Sequence, residues 1–217
     1  MVPKRNTGAG VDILITAGAT RNPIDAMRYI SANSSGQTGV WIAEQLYRHR
    51  TVHLMGSPEA LLRCRIDCTR IGFGSTHDLM EKMQQWTETH PDGLVIHAAA
   101  VGDYCVDHAP VDSKLPSGQQ TVALRLVPTP KIVDRIHNWA PDAKLISFKA
   151  AAPNTDRDAL EQLATAQRER TGSLLVFANV IGALHGSNLI VGPGGAEWFD
   201  SRPLAMASLV SAVLRYR

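Results

Sequence analysis

The sequence lacks the features that mark several large functional classes. No apolar run in its 217 residues approaches the length of a membrane span. The basic opening "MVPKRNTGAG" is not followed by an apolar stretch with a cleavage site, so it does not read as a secretory signal. Residues 1–10 are instead expected to form a flexible tail. There are 3 cysteines, Cys64, Cys68 and Cys105. Their odd number argues against a disulfide scaffold and for a reducing, cytoplasmic compartment. "CRIDC" offers half a metal site, but no further ligands accompany it, so two unconnected thiols are expected. Lys and Arg number 22 against 20 Asp and Glu, a net charge of +2. That balance is too even to argue for nucleic acid or an anionic membrane, and leaves at most a local anionic ligand. There is no internal repeat and no low-complexity segment.

What the chain does contain is a regular alternation of strand and helix patterns. "VDILITAG", "TVHLMG", "CTRIGF", "GLVIHAAAVGDY", "TVALRLV", "AKLISF" and "SLLVFAN" read as strands. "GVWIAEQLYRH", "STHDLMEKMQQWTETH", "PKIVDRIHNW", "TDRDALEQLATAQRER" and "PLAMASLVSAVLRYR" read as helices, several with an N-cap or an early proline. "SNLIVGPGGAEWF" predicts a β-hairpin around "GPGG". The expected fold is α/β: a Rossmann-like, three-layer arrangement with a mostly parallel sheet, helices on both faces and a C-terminal hairpin. Residues 11–217 form a single domain in this reading, with a mobile flap near 105–120.

In such sheets ligands sit beyond the carboxyl ends of the strands. The stretch "AGATRNPIDAMRYISANSSGQTG" lies there, but it is not G-x-G-x-x-G. The second strand ends in "HLMGSP" with no acid for a ribose hydroxyl, so a dinucleotide-dependent oxidoreductase is the weaker enzyme reading. "SSGQTG" opens a helix and supplies N–H groups and hydroxyls for an anion. A plain serine cap with glycines for close packing fits the same spacing. "HAAAVGDY" places small side chains where a ligand could lie against the backbone, or where alanines pack under a helix. Lys114 by itself reads as a solvated charge, Phe148 as core and Asn179 as a turn residue. His53 and His97 read as satisfied core histidines, and no Ser-His-Asp or Cys-His pair is legible.

Together and in this order, these segments resemble the phosphopantothenate–cysteine ligase family, also called phosphopantothenoylcysteine synthetase, in its stand-alone form. The opening matches the family's "GGTREPID-VR-ISN-SSG--G" stretch at the same length. "AAAVGDY", "SKLPSG", "VPTPKIV", "ISFKAA" and "VFANVIG" match five further family motifs, and the likeness runs from Val11 to Val191. The resemblance implies a ligase of coenzyme A synthesis that uses CTP or ATP with Mg2+ to join 4′-phosphopantothenate and cysteine through an acyl-nucleotidylate. It also implies a homodimer, for which the C-terminal hairpin has exposed-looking alternation.

Carried over by position, the resemblance places the nucleotide against Gly18, Ser34, Ser35, Gly36, Ala99, Ala100, Val101 and Asp103. Pro130, Lys131, Ile132, Val133 and Phe148 complete its pocket, and Arg168 and Arg170 stand where the family has lysines. Lys114 resembles the flap lysine that meets the phosphates, and Asn179 belongs to the substrate side. The family's asparagine of "ISN-SSG" falls on Ala32. Asn33, one place later in a Ser- and Gly-rich segment expected to be irregular, is its candidate substitute for the second step. The aspartate of the family's "AND" is Val180 here.

Overall fold

The computed structural model describes residues 10–183 and 187–216, so nearly all of the expected N-terminal tail lies outside the described residues. In chain order the first elements are β1 (Ile13–Ala17), β2 (Arg21–Pro23), β3 (Tyr29–Ser31), α1 (Gln37–Leu46), β4 (Val52–Gly56), α2 (Pro58–Arg63) and β5 (Thr69–Gly72). Then come α3 (Thr76–Thr89), β6 (Leu94–His97), β7 (Tyr104–Val106), β8 (Leu126–Pro128), α4 (Ile136–Trp139) and β9 (Lys144–Ala151). The chain closes with α5 (Arg157–Thr171), β10 (Leu175–Val180), β11 (Asn188–Gly192), β12 (Gly195–Phe199) and α6 (Arg202–Arg215).

One 8-stranded sheet carries the fold, in the order β12-β11-β10-β9-β6-β1-β4-β5. The strands from β5 to β10 run parallel, and β11 and β12 return antiparallel as the expected hairpin. Every residue of β1 is buried, because helices cover both faces. Ile13, Ile15 and Ala17 pack towards α1 and α6. Leu14, on the opposite face, packs with Leu79, Met83 and Trp86 of α3 and with Ile136. Farther along, Val176, Ala178 and Leu189 meet Leu160 and Ala164 of α5.

Local chemistry sets most helix ends. Ser75, Asp156 and Ser201 each accept a backbone N–H at the start of α3, α5 and α6. Gly172 closes α5 at φ 63°, a conformation glycine adopts without strain. The same logic builds α2, which the pattern reading missed: Ser57 caps it and Pro58 opens it.

Three expectations need correction. "PKIVDRIHNW" is not one helix but a 3₁₀ turn over Ile132–Asp134 followed by α4. Ile132, Ile136 and Ala140 still bury one face, so tertiary packing is served although the turn tightens between them. "TVALRLV" does not join the main sheet. Only its end forms β8, paired with β7, and Val122, Leu124 and Leu126 stay exposed because no layer covers that alternation. The β11–β12 hairpin is only partly outward-facing: Leu189, Ile190 and Val191 of β11 are buried in this chain and Arg157 lies over Trp198 at 4.1 Å, whereas Ala196 and Glu197 of β12 are exposed.

Helix α1 sits unusually close to β1. A Cβ built on Gly39 would meet the Ala17 Cβ at 2.7 Å and the Thr16 carbonyl oxygen at 2.8 Å. Gly39→Ala gains helix propensity worth about 1 kcal/mol, yet overpacking against backbone costs about 1–3 kcal/mol. We expect the variant to unfold at lower urea concentration with an unchanged m-value. Parent-like stability would show that α1 lifts from β1 without penalty.

Candidate functional site

The close seat of α1 puts its first turn over the carboxyl ends of the central strands, where a cavity of about 750 Å3 opens. Gly36 precedes the helix in the left-handed region, φ 76°, and supplies no side-chain cap. A Cβ there would lie 2.9 Å from the Gly18 nitrogen, so the two glycines permit the approach of helix and strand turn. The segment between β3 and α1 is irregular, as its composition predicts, and both Ala32 and Asn33 line the cavity.

Most of the residues singled out in the sequence converge here. Asn33, Ser34 and Gly36 form one rim. Ala99, Ala100, Val101 and Asp103, following β6, form the wall beside it. Pro130, Lys131, Ile132 and Val133 stand opposite, with Phe148, Arg170 and Asn179 completing the enclosure. Phe148 is stacked on Phe177 at 5.1 Å between ring centres, so it is both core and cavity wall. Asp103 pairs with Lys131, and Arg170 with Asp134.

Four predicted residues are not cavity-lining. Gly18 serves the backbone: at φ 92° it admits Ser57, whose Oγ lies 2.1 Å from where a Cβ would stand. Ser35 is exposed, and Arg168 has a buried Nε without a partner among the described residues. Lys114 is exposed on the flap, which is docked against the turn between β2 and β3. Ala26 N–H donates to the Ser113 carbonyl at 3.0 Å, and Leu115 N–H donates to Asp25 Oδ2 at 2.9 Å. Asp25 is buried and also accepts the Met27 and Arg28 N–H groups at 2.9 and 2.8 Å. The Arg28 guanidinium beside it holds its carboxyl well below the usual carboxylate range.

The structure adds Thr38, His97, Lys149, Gln167 and Arg202 to the cavity. Gln167 donates to Ser147 Oγ at 2.9 Å and to the Phe148 carbonyl at 3.2 Å, fixing the strand end beneath the ring. Arg202 Nη1 donates to Asn179 Oδ1 and its Nη2 to Thr38 Oγ1, both at 3.0 Å. One sequence signal could have exposed Arg202. It directly follows the Ser201 cap, at the helix end where the macrodipole opposes a cation.

His97 is a core histidine at the cavity floor. Thr16 Oγ1 accepts the Ala99 N–H at 3.0 Å and lies 2.9 Å from His97 Nδ1. Burial pushes the imidazole down to about 4.

Two other clusters lie elsewhere. Asp12, His53 and His90 form the one potential metal-ligand group among the described residues, at the opposite end of the strands. Trp86 Nε1 donates to His53 Nδ1 at 3.0 Å, so neutral His53 carries its proton on Nε2 and has no lone pair left for a metal. Cys64 and Cys68 are free thiols, as the sequence predicts, with their sulfurs 4.0 Å from each other. Burial, reinforced by Cys64, pushes the Cys68 thiol up to about 11.

The chain has known counterparts. Residues 8–188 match the DNA/pantothenate metabolism flavoprotein C-terminal domain family. The Coenzyme A biosynthesis bifunctional protein CoaBC of Thermococcus kodakarensis is 36% identical over 179 residues, covering 80% of this chain and 42% of that protein. The chain thus spans about two fifths of that relative's length. The DNA/pantothenate metabolism flavoprotein of Streptococcus pneumoniae shares the fold at a TM-score of 0.82 and 23% identity, covering 96% of this chain and 100% of its own. A Cab2 mutant in complex with phosphopantothenate-cysteine does so at 0.74 and 20% identity, covering 94% and 86%.

The His97 environment predicts a pH dependence. Its folded value lies below the ordinary 6.5 or so, so between about pH 4 and 6.5 the unfolded chain binds a proton that the native state does not. Stability should therefore fall as pH drops through that window, by up to about 3 kcal/mol from this residue. Denaturant titrations at pH 7 and pH 4.5 should show a smaller loss for His97→Gln than for the parent. Parallel losses would remove His97 as the cause.

Proposed function

The chain belongs to the phosphopantothenoylcysteine synthetase family, and on that footing we propose that its cavity joins 4′-phosphopantothenate to cysteine at the expense of CTP or ATP. The observation that carries the reading is the cavity itself. A wall of small residues after β6, an aromatic ring and several cations meet beyond the strand ends, where the family motifs converge. In the first step the carboxylate of the acid attacks the α-phosphorus of the nucleotide, and pyrophosphate leaves. In the second the amine of cysteine attacks the acyl carbon, the nucleoside monophosphate leaves and the amine loses a proton.

Positioning and charge neutralisation are what such a transfer needs from the protein. Ala99, Ala100 and Val101 let base and sugar lie against the backbone, with Phe148 at the side and Asp103 available to a base amino group. Undocking of the flap brings Lys114 over the phosphates. Asn33 supplies the amide group that Ala32 lacks for the second step. The cavity's one carboxylate is Asp103 among the described lining residues, and it is paired with Lys131. That donor set fits a Mg2+ carried chiefly by phosphate oxygens, where it would neutralise charge, rather than one caged by protein. Ala32 also motivates a second reading, a diverged relative that activates a different carboxylic acid.

The test is product analysis with phosphopantothenate, cysteine, Mg2+ and either nucleotide. Pyrophosphate and the amide should appear together. Nucleotide binding without pyrophosphate release from this acid supports the diverged relative, and no binding of either nucleotide rejects both readings. Lys114→Gln should leave the fold intact and slow pyrophosphate release by about two to three decades. A change under about threefold would return Lys114 to the solvated surface.

The dimer also moves to a new face. Met27, Tyr29, Tyr104 and Leu126 are exposed on the β2–β3 and β7–β8 hairpins, which Asn22 ties together by donating to the Tyr104 carbonyl at 2.9 Å. A second copy covering this patch makes the protein a homodimer. Light scattering at micromolar concentration should give twice the chain mass, and the mass of one chain after Tyr29→Glu with Leu126→Glu. A parent that scatters as a monomer, or a double variant that remains dimeric, refutes the assignment.

A further inference from the structure

Arg202 is a half-buried cation without a counterion among the described residues. Its two hydrogen-bond partners, Asn179 and Thr38, are neutral, and no carboxylate pairs with it among the described residues. Its Cζ lies 5.1 Å from the centre of the Phe177 ring, a cation–π contact that is favourable but supplies no negative charge. Burial lowers its affinity for the proton, yet a guanidinium remains charged at any ordinary pH. A charge in such a place is poorly compensated: it is partly desolvated without an anionic partner, and it stands at the helix end that repels cations. Bridging Thr38 to Asn179 does not require charge, because a neutral amide side chain makes the same kind of hydrogen bonds. The other cations contrast with it. Lys131 and Arg170 are already paired with acids, and Lys114 is held outside on the docked flap. Lys149 lines the cavity, but no hydrogen bond fixes its ammonium among the described residues.

The geometry points to Arg202 as the pre-placed anchor for the nucleotide's β- and γ-phosphates, the group that leaves as pyrophosphate. This assignment rests on the ligase reading for the identity of the anion, and deepens it. Two of the five guanidinium N–H groups hold Thr38 and Asn179, which locks the plane and leaves the others for phosphate oxygens. The anchor acts before the flap moves, so it contributes to ground-state binding. Lys114 arrives later and contributes to the transition state. The two cations therefore separate kinetically: loss of Arg202 raises KM for the nucleotide, whereas loss of Lys114 lowers kcat.

Inorganic pyrophosphate, titrated calorimetrically into the purified protein, tests this without any turnover. Arg202→Gln is expected to weaken its binding by about 10- to 100-fold and to flatten its dependence on ionic strength. The unliganded variant should melt no lower than the parent, because an unpaired charge has been removed. Unchanged pyrophosphate affinity in a folded Arg202→Gln overturns the proposal, as does a parent that does not bind pyrophosphate. If Arg202→Gln does not fold, Arg202→Lys decides: it keeps the charge but loses the fork, and should bind about three- to tenfold more weakly. Binding of Arg202→Lys at the parent level then overturns the assignment. A parent that makes the amide while Arg202→Gln binds pyrophosphate normally refutes the anchor and leaves the ligase reading standing. Loss of pyrophosphate binding in the variant of a parent that makes no amide refutes the ligase reading and leaves the anchor.

Discussion

The seat of α1 on β1 is the constraint from which the site follows. Helices ordinarily stand off a sheet by the length of interdigitating side chains. Here Gly39 brings helix backbone almost against the Thr16 carbonyl, and Gly36 comes down onto Gly18. The helix start is thereby lowered to the strand ends, with Thr38 facing the cavity. No side chain caps that start, so its first amides remain available. Any side chain larger than hydrogen at these glycines would wedge the layers apart and raise the floor of the cavity relative to its rim.

Around that floor, polar groups fall into two populations. One is closed upon itself: Thr16 links the Ala99 amide to His97, Gln167 links Ser147 to the Phe148 carbonyl, and Ser173 joins Ser147 to Thr171. These groups are satisfied internally and make the floor rigid. The other is open: Arg202 has only neutral hydrogen-bond partners, and Lys149 has none among the described residues, beside the paired Lys131 and Arg170. In a recess with low effective dielectric that imbalance creates a positive potential which the nearly neutral whole does not show. Net charge averages away the feature that matters most for ligand choice.

This explains what was legible in the sequence. The parallel sheet was readable because buried strands such as "ILITA" are continuous apolar runs, and the caps at Ser75, Asp156 and Ser201 follow local rules. The motif residues that line the cavity were found through the family resemblance, because each belongs to a contiguous motif; read alone, Phe148 and Asn179 pointed only to core and turn. Arg202 and Thr38 were not, because their meeting depends on two helices from opposite ends of the chain. Val122 and Leu124 misled for the converse reason: alternation describes a strand with one covered face, and here no covering layer exists. Lys114 lies where the motif puts it in the chain, but its position in space is decided by Asp25, a residue far away in sequence that grips the flap backbone.

The C-terminal hairpin has a topological consequence. A helix that follows one antiparallel strand starts at the wrong end of the sheet for this cavity. Two reversals cancel, so β12 points the same way as β10, and Asn179, Asn188 and Phe199 lie side by side across three strands. The chain then turns into α6, and Arg202 arrives beside Asn179 although 23 positions separate them. The parity of the hairpin, not its length, delivers the arginine. Residues can be added to or removed from its far tip around Gly194 without displacing the guanidinium, whereas loss of either strand alone would carry it to the opposite pole of the molecule.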